Sequence, residues 1–153
     1  MTDYPIRLFA SDAEIVRLGE GLVACSLGRA DWTHEAHLAA TLYLLTMRPD
    51  LDVDAEIAGL ISRFNESVGG INDDHNGYHD TITRAYLTGV RLFIAHTSEV
   101  TLVGRVNALL CSLMGRRDWP LHFYSRDLLF SVPARRGYLV PDLAPLAIPA
   151  AAP

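Results

Sequence analysis

The sequence predicts an all-α fold, a single-domain helical bundle, and three observations carry that expectation. Apolar residues recur at three- and four-residue spacing through five stretches. Capping-type residues stand at or near their starts, among them Ser11, Asp31, Thr33, Asn76 and Ser98, and the breaks between them are short and rich in Gly, Pro, Asn and Asp. At 153 residues, 50% of them hydrophobic, the chain fits one domain with a real core, and neither a repeat nor a linker divides residues 1–153.

The first helix is expected from Ser11 to Leu27, opened by the reciprocal capping pair Ser11 and Glu14 and stopped at Gly28. Gly19 and Gly21 weaken it, and a closely approaching neighbour would account for them. The second runs from about Thr33 to Met47, capped by Asp31 or Thr33. The third runs from Val53 to Val68, with Ile57, Leu60, Ile61 and Phe64 inward and Gly69-Gly70 as its stop. A polar turn-forming cluster, Ile71 to Gly77, precedes a fourth helix from Tyr78 to about Ala95 with Asn76 as cap. Ser98 caps a fifth that ends at Gly115. A short C-terminal helix, Leu121 to Phe130, and a single turn at Pro133 to Tyr138 follow. Residues 139–153 form an extended tail, because Pro141, Pro145 and Pro149 remove backbone donors at four-residue spacing.

Composition excludes several classes of function. The formal net charge is −5 and all 13 basic residues are scattered arginines, so no nucleic-acid footprint exists. Without lysine there is no Schiff-base or pyridoxal-phosphate chemistry. Cys25 and Cys111 lie in apolar helical stretches with no metal-binding spacing and read as reduced core residues. The N-terminal residues carry no basic segment followed by an apolar core, which points to a cytoplasmic setting, and no apolar run is long enough to span a bilayer. A homodimer is compatible with the sequence, but no heptad seam demands one.

The candidate chemistry lies in three histidines. His34 and His37 are one turn apart on one helix face, and His79 opens another apolar-periodic segment. Short connections make the second and fourth helices parallel, so their N-termini share an end. A diagonal separation of roughly 13 Å is within reach of two histidine arms and a metal ion. The expectation is therefore a three-histidine site, His34, His37 and His79, for a divalent metal, Zn²⁺ or Fe²⁺. Asp80, Glu35 and Tyr124 are its candidate acid/base groups, and Tyr78, Thr81, Arg84, Ser125 and Arg126 its candidate substrate contacts. His122 is a candidate fourth ligand or base. His75 and His96 need only solvated or charge-complementing roles. Against all of this stands the plainer fact that an inward-facing His is more often a hydrogen-bonded core or cap residue. Trp32 reads as a staple onto its helix and Trp119 as a core anchor.

These residues resemble a family of small, uncharacterised bacterial helical proteins with a Trp-Thr-His-x-x-His segment, a Gly-Tyr-His-Glu-Thr-Ile-Thr segment and a Ser-Arg-x-x-Leu-Phe-Ser segment before Pro-Asp-Leu. Here they are Trp32 to His37, Gly77 to Thr83, Ser125 to Ser131 and Pro141 to Leu143, with Asp80 where the pattern has Glu. The resemblance brings no established activity. It implies only that His34, His37 and His79 matter.

The function expected from the residues is a metalloenzyme acting on a small anionic or carbonyl-bearing metabolite, hydrolytic or lyase-like with Zn²⁺ and oxidative with Fe²⁺. The alternative is a metal-free accessory protein that binds a small molecule or a partner.

Overall fold

The computed structural model describes residues 5–147, which fold into an all-helical domain of seven α-helices joined by short turns. Ser11 caps α1 (Asp12–Ala24), its hydroxyl accepting from the Glu14 amide. The helix stops one turn before the expected Gly28. Cys25 takes the left-handed conformation (φ 53°), and the Ser26 amide bonds back to the Gly21 carbonyl, the paired arrangement that usually has glycine at the turning residue. The physical reason is Gly21. Its bare backbone leaves room for Leu27, which folds back over it and is 6% exposed.

Helix α2 (His34–Met47) is capped by the Thr33 hydroxyl accepting from the Ala36 amide. It has no polar face: Ala36, Leu38, Ala39, Ala40, Leu42, Tyr43 and Leu44 are all buried, as suits the central helix of a bundle. Around it pack α1, α4 (Asp80–His96) and α5 (Leu102–Cys111), so α2 and α4 are direct neighbours rather than a diagonal pair. Gly19 of α1 lies against the Tyr43 ring, where a Cβ would overlap ring carbons, and this is the close approach its presence implied. Gly19→Ala is therefore expected to lower stability by about 1–2 kcal/mol, because overpacking against a rigid ring outweighs the gain in helix propensity. Urea denaturation measures it, and an unchanged or raised midpoint would contradict the packing.

Asp52 caps α3 (Val53–Ser67), which buries Ile57, Leu60 and Phe64 as expected. Two later starts differ from expectation. His79, not Asn76, caps α4, and Thr101, not Ser98, caps α5. Asn76 is engaged elsewhere, its amides donating to the Asp73 carboxylate. The expected helix from Leu121 to Phe130 is broken. A 3-10 turn at Trp119–His122 and the single-turn α6 (Arg126–Leu129) replace it, and α7 (Val132–Arg136) follows. The break arises because the tail takes the backbone groups that would continue the helix. The Phe123 carbonyl accepts from the Leu143 amide, and the Ser125 amide donates to Asp142.

The tail is free of helix through residue 147 but bends at residues 142–144, where it bonds back to Phe123, and Leu146 packs onto the core; residues 148–153 of the expected tail lie outside the described residues. Trp119 is 1% exposed and anchors the core as expected. Both cysteines are free thiols, but Cys111 is exposed rather than buried. Among the described residues no helix is long and apolar enough to cross a membrane.

Candidate functional site

The three histidines are placed one by one, and each ring is bonded to backbone. His34 Nε2 lies 2.8 Å from the Gly115 carbonyl and His37 Nδ1 2.8 Å from the Thr33 carbonyl. A carbonyl only accepts, so each of these nitrogens carries the proton. His79 is used at both nitrogens. Nδ1 accepts from the Ile82 amide at 3.2 Å, which caps α4, and Nε2 donates to the Leu129 carbonyl at 2.8 Å. That ring has no lone pair left for a metal. Among the described residues no group of three or more His, Cys, Asp or Glu side chains is arranged to hold a metal ion. The donor set expected from His34, His37 and His79 therefore does not fit a three-histidine centre in this arrangement.

His34 and His37 do share surroundings. Each is held below the usual imidazole range chiefly by burial, with the Arg117 charge acting in the same direction, and for His37 the fall is to about 4. The Trp32 ring lies 4.1 Å from that of His37 and 5.3 Å from that of Phe64, so Trp32 is packed between α2 and the end of α3 and is more than a staple. Glu35 is 8% exposed. His79 is also lowered, mainly by burial, but its charged neighbours are Arg135 and Asp80.

Two of the remaining candidates, Thr81 and Tyr124, help dock the C-terminal segment by the start of α4. Thr81 is fully buried, its hydroxyl donating to the Gly137 carbonyl and accepting from the Leu139 amide. Tyr124 is equally buried and donates to the Leu139 carbonyl, so its hydroxyl faces the tail rather than a cleft. Asp80 accepts from Tyr78 at 2.6 Å and from Arg84 Nε at 3.0 Å, which occupies all three side chains with one another. Burial and the neighbouring Asp80 carboxylate push the Tyr78 phenol up. Ser125 caps α6 through the Leu128 amide, while Arg126 is exposed and makes no ion pair among the described residues. His122 is exposed beside Phe123, His75 is exposed with its amide on Asp73, and exposed His96 bonds the Leu92 carbonyl.

The chain matches no family model, no curated protein and no solved structure. Its function must be read from its own surface.

Sequence reasoning missed a cleft of about 530 Å³ at the end of the bundle where α3 stops. Arg29, Trp32, Phe64, Asn65, Gly70 and Gly77 are among the residues that line it. One wall is the loop 69–77, which has no regular structure but is densely bonded. Asn72 donates to the Ser62 carbonyl and Glu66 and accepts from Asn65 and the Tyr78 amide, and Asp73 accepts from His75 and Asn76. Beside the start of that loop lies Arg29, whose Nη2 donates to the Val68 carbonyl at 2.7 Å, a cation at the negative end of α3. From α7, Arg135 reaches the Gly77 carbonyl at 2.7 Å and braces the rim from behind. The signal available in sequence was Gly69-Gly70 and Gly77 bracketing an Asn- and Asp-rich loop.

Proposed function

We propose that this chain is a small-molecule-binding protein whose site is the cleft beside Trp32, working without a metal. The observation that carries the reading is the cleft itself. Its volume falls in the range of ligand pockets, roughly 300–1,000 Å³, and it joins an aromatic wall to a few fixed polar groups. The engagement of all three candidate histidines with backbone carbonyls supports the metal-free form of the proposal. A loop already held by its own hydrogen bonds loses little freedom on binding.

The test is a screen of small metabolites by thermal shift, with amide chemical-shift mapping of the compounds that stabilise. Shifts are expected at Trp32 and in residues 69–77, and chelator treatment is expected to leave the melting temperature unchanged. Stoichiometric metal whose removal lowers that temperature, or shifts confined to the clamp around Thr81, would overturn the proposal.

A further inference from the structure

We infer that the cleft takes a small ring-bearing carboxylate that also carries a hydrogen-bond donor, an inference that rests on the cleft being the ligand site. Three features of its lining set this chemistry.

The sign of the ligand follows from charge. Arg29 is the one ionised side chain among the residues lining the cleft, in a chain whose net charge is −5. A single N–H of its guanidinium is spent on the Val68 carbonyl, which fixes the group in place and leaves the other donors for an anion. A guanidinium fork matches the two oxygens of a carboxylate.

The ring follows from the wall. Trp32 is the half-buried aromatic face of the cleft, and the buried Phe64 ring, 5.3 Å away and tilted by 55°, and the His37 ring hold it in place. Such a surface gains most from a flat apolar body packed against it.

The donor follows from Asn65. Its amide nitrogen gives one N–H to the Ile71 carbonyl at 3.2 Å and the other to Asn72 Oδ1 at 3.0 Å, so the side chain can offer the cleft only its oxygen. Gly70 and Gly77 keep this amide uncovered. A Cβ on Gly70 would overlap Asn65 Oδ1, and one on Gly77, where φ is +79°, would meet Asn72 Oδ1 and the Asn65 nitrogen.

The experiment is a titration of the full chain, followed by amide and indole NMR shifts, with 4-hydroxybenzoate, benzoate, 4-hydroxybenzamide and acetate. Saturable shifts at Trp32, Gly70 and Gly77 are expected with 4-hydroxybenzoate, at an affinity about 10-fold better than for the amide. Benzoate should bind a few-fold more weakly, and acetate should not saturate. Arg29→Gln should erase the preference for carboxylate over amide, and Arg29→Lys should keep part of it; unchanged shifts of residues 69–77 would show the loop intact. Equal binding of carboxylate and amide, or retention of the preference in Arg29→Gln, would overturn the anion assignment and leave the cleft standing. Benzoate matching 4-hydroxybenzoate would remove the donor, and acetate matching it would remove the ring. Absence of saturable shifts there with every compound up to about 10 mM would sink the cleft as the ligand site, and this inference with it.

Discussion

Acidification from pH 7 to pH 4 is expected to cost the fold about 3 kcal/mol through His37 alone. Burial holds this imidazole down to about 4; its bond to the Thr33 carbonyl opposes the shift, while His34 and Arg117 add to it. An unfolded chain returns the ring to its ordinary value near 6.5, so the unfolded state binds more protons in the interval between. The stability is therefore fully present above about 6.5, is lost as pH falls toward 4, and changes little further from this group below that. His34 and His79 are depressed as well and steepen the same window. For His79 burial is the main cause and the Arg135 charge acts in the same direction; a proton on Nδ1 would also cost the bond that nitrogen accepts from the Ile82 amide. The carboxylates lowered by their hydrogen bonds, Asp54 on Arg91 and Asp73 on the His75 amide among them, act in a different window, since their contribution is lost only as pH falls below the ordinary carboxylate range. Urea denaturation at several pH values between 7 and 4 resolves the histidine window. His37→Gln should flatten it, and direct titration of the His37 ring to a midpoint near 6.5 would refute the assignment.

Much of the bundle was legible because its signals are local. Ser11 and Thr33 cap the helices they precede, and the inward stripe of α3 is the one its apolar spacing implies. What escaped the sequence is decided by partners far along the chain. The C-terminal helix breaks because the Phe123 carbonyl finds the Leu143 amide, and nothing near residue 123 announces that. The bonding of the histidine rings to backbone was hidden for a related reason. A His at a helix start, with an apolar stripe behind it, looks the same whether its ring faces a metal or the helix's own amides; only the Ile82 amide and the Leu129 carbonyl decide the matter for His79. The segments Gly77 to Thr83 and Ser125 to Ser131 drew attention together as one pattern, and they do meet in space. They meet as a clamp: Arg135 holds the Gly77 carbonyl, His79 the Leu129 carbonyl, and Thr81 both Gly137 and Leu139. The cleft was least legible of all, since Arg29, Trp32, Asn65 and Gly77 are brought together only by the turn after α3.

Thr81→Val is expected to cost about 3 kcal/mol. Valine keeps the shape of threonine and removes its hydroxyl, which is fully buried and makes two bonds, 2.9 Å to the Gly137 carbonyl and 3.0 Å from the Leu139 amide. Both backbone groups would be left without a partner, each at about 1–3 kcal/mol if they stayed buried. The segment has an alternative, which is to leave. Its other ties include the Tyr124 hydroxyl on the Leu139 carbonyl, Arg135 on Gly77, the Leu143 amide on the Phe123 carbonyl, the Ser125 amide on Asp142, and an exposed, solvent-screened ion pair from Arg136 to Asp74 that adds little. Undocking therefore caps the penalty, and the loss should appear in two measurements at once. The urea midpoint falls, and trypsin cleaves faster after Arg135 and Arg136 under native conditions. Thr81→Ser retains both hydrogen bonds and should stay close to the wild type in each. A valine variant as stable and as resistant as the serine one would show that the hydroxyl does not hold the segment. Because Arg135 also holds the carbonyl that rims the cleft, the undocked state should respond more weakly than the serine variant to any compound that shifts Trp32.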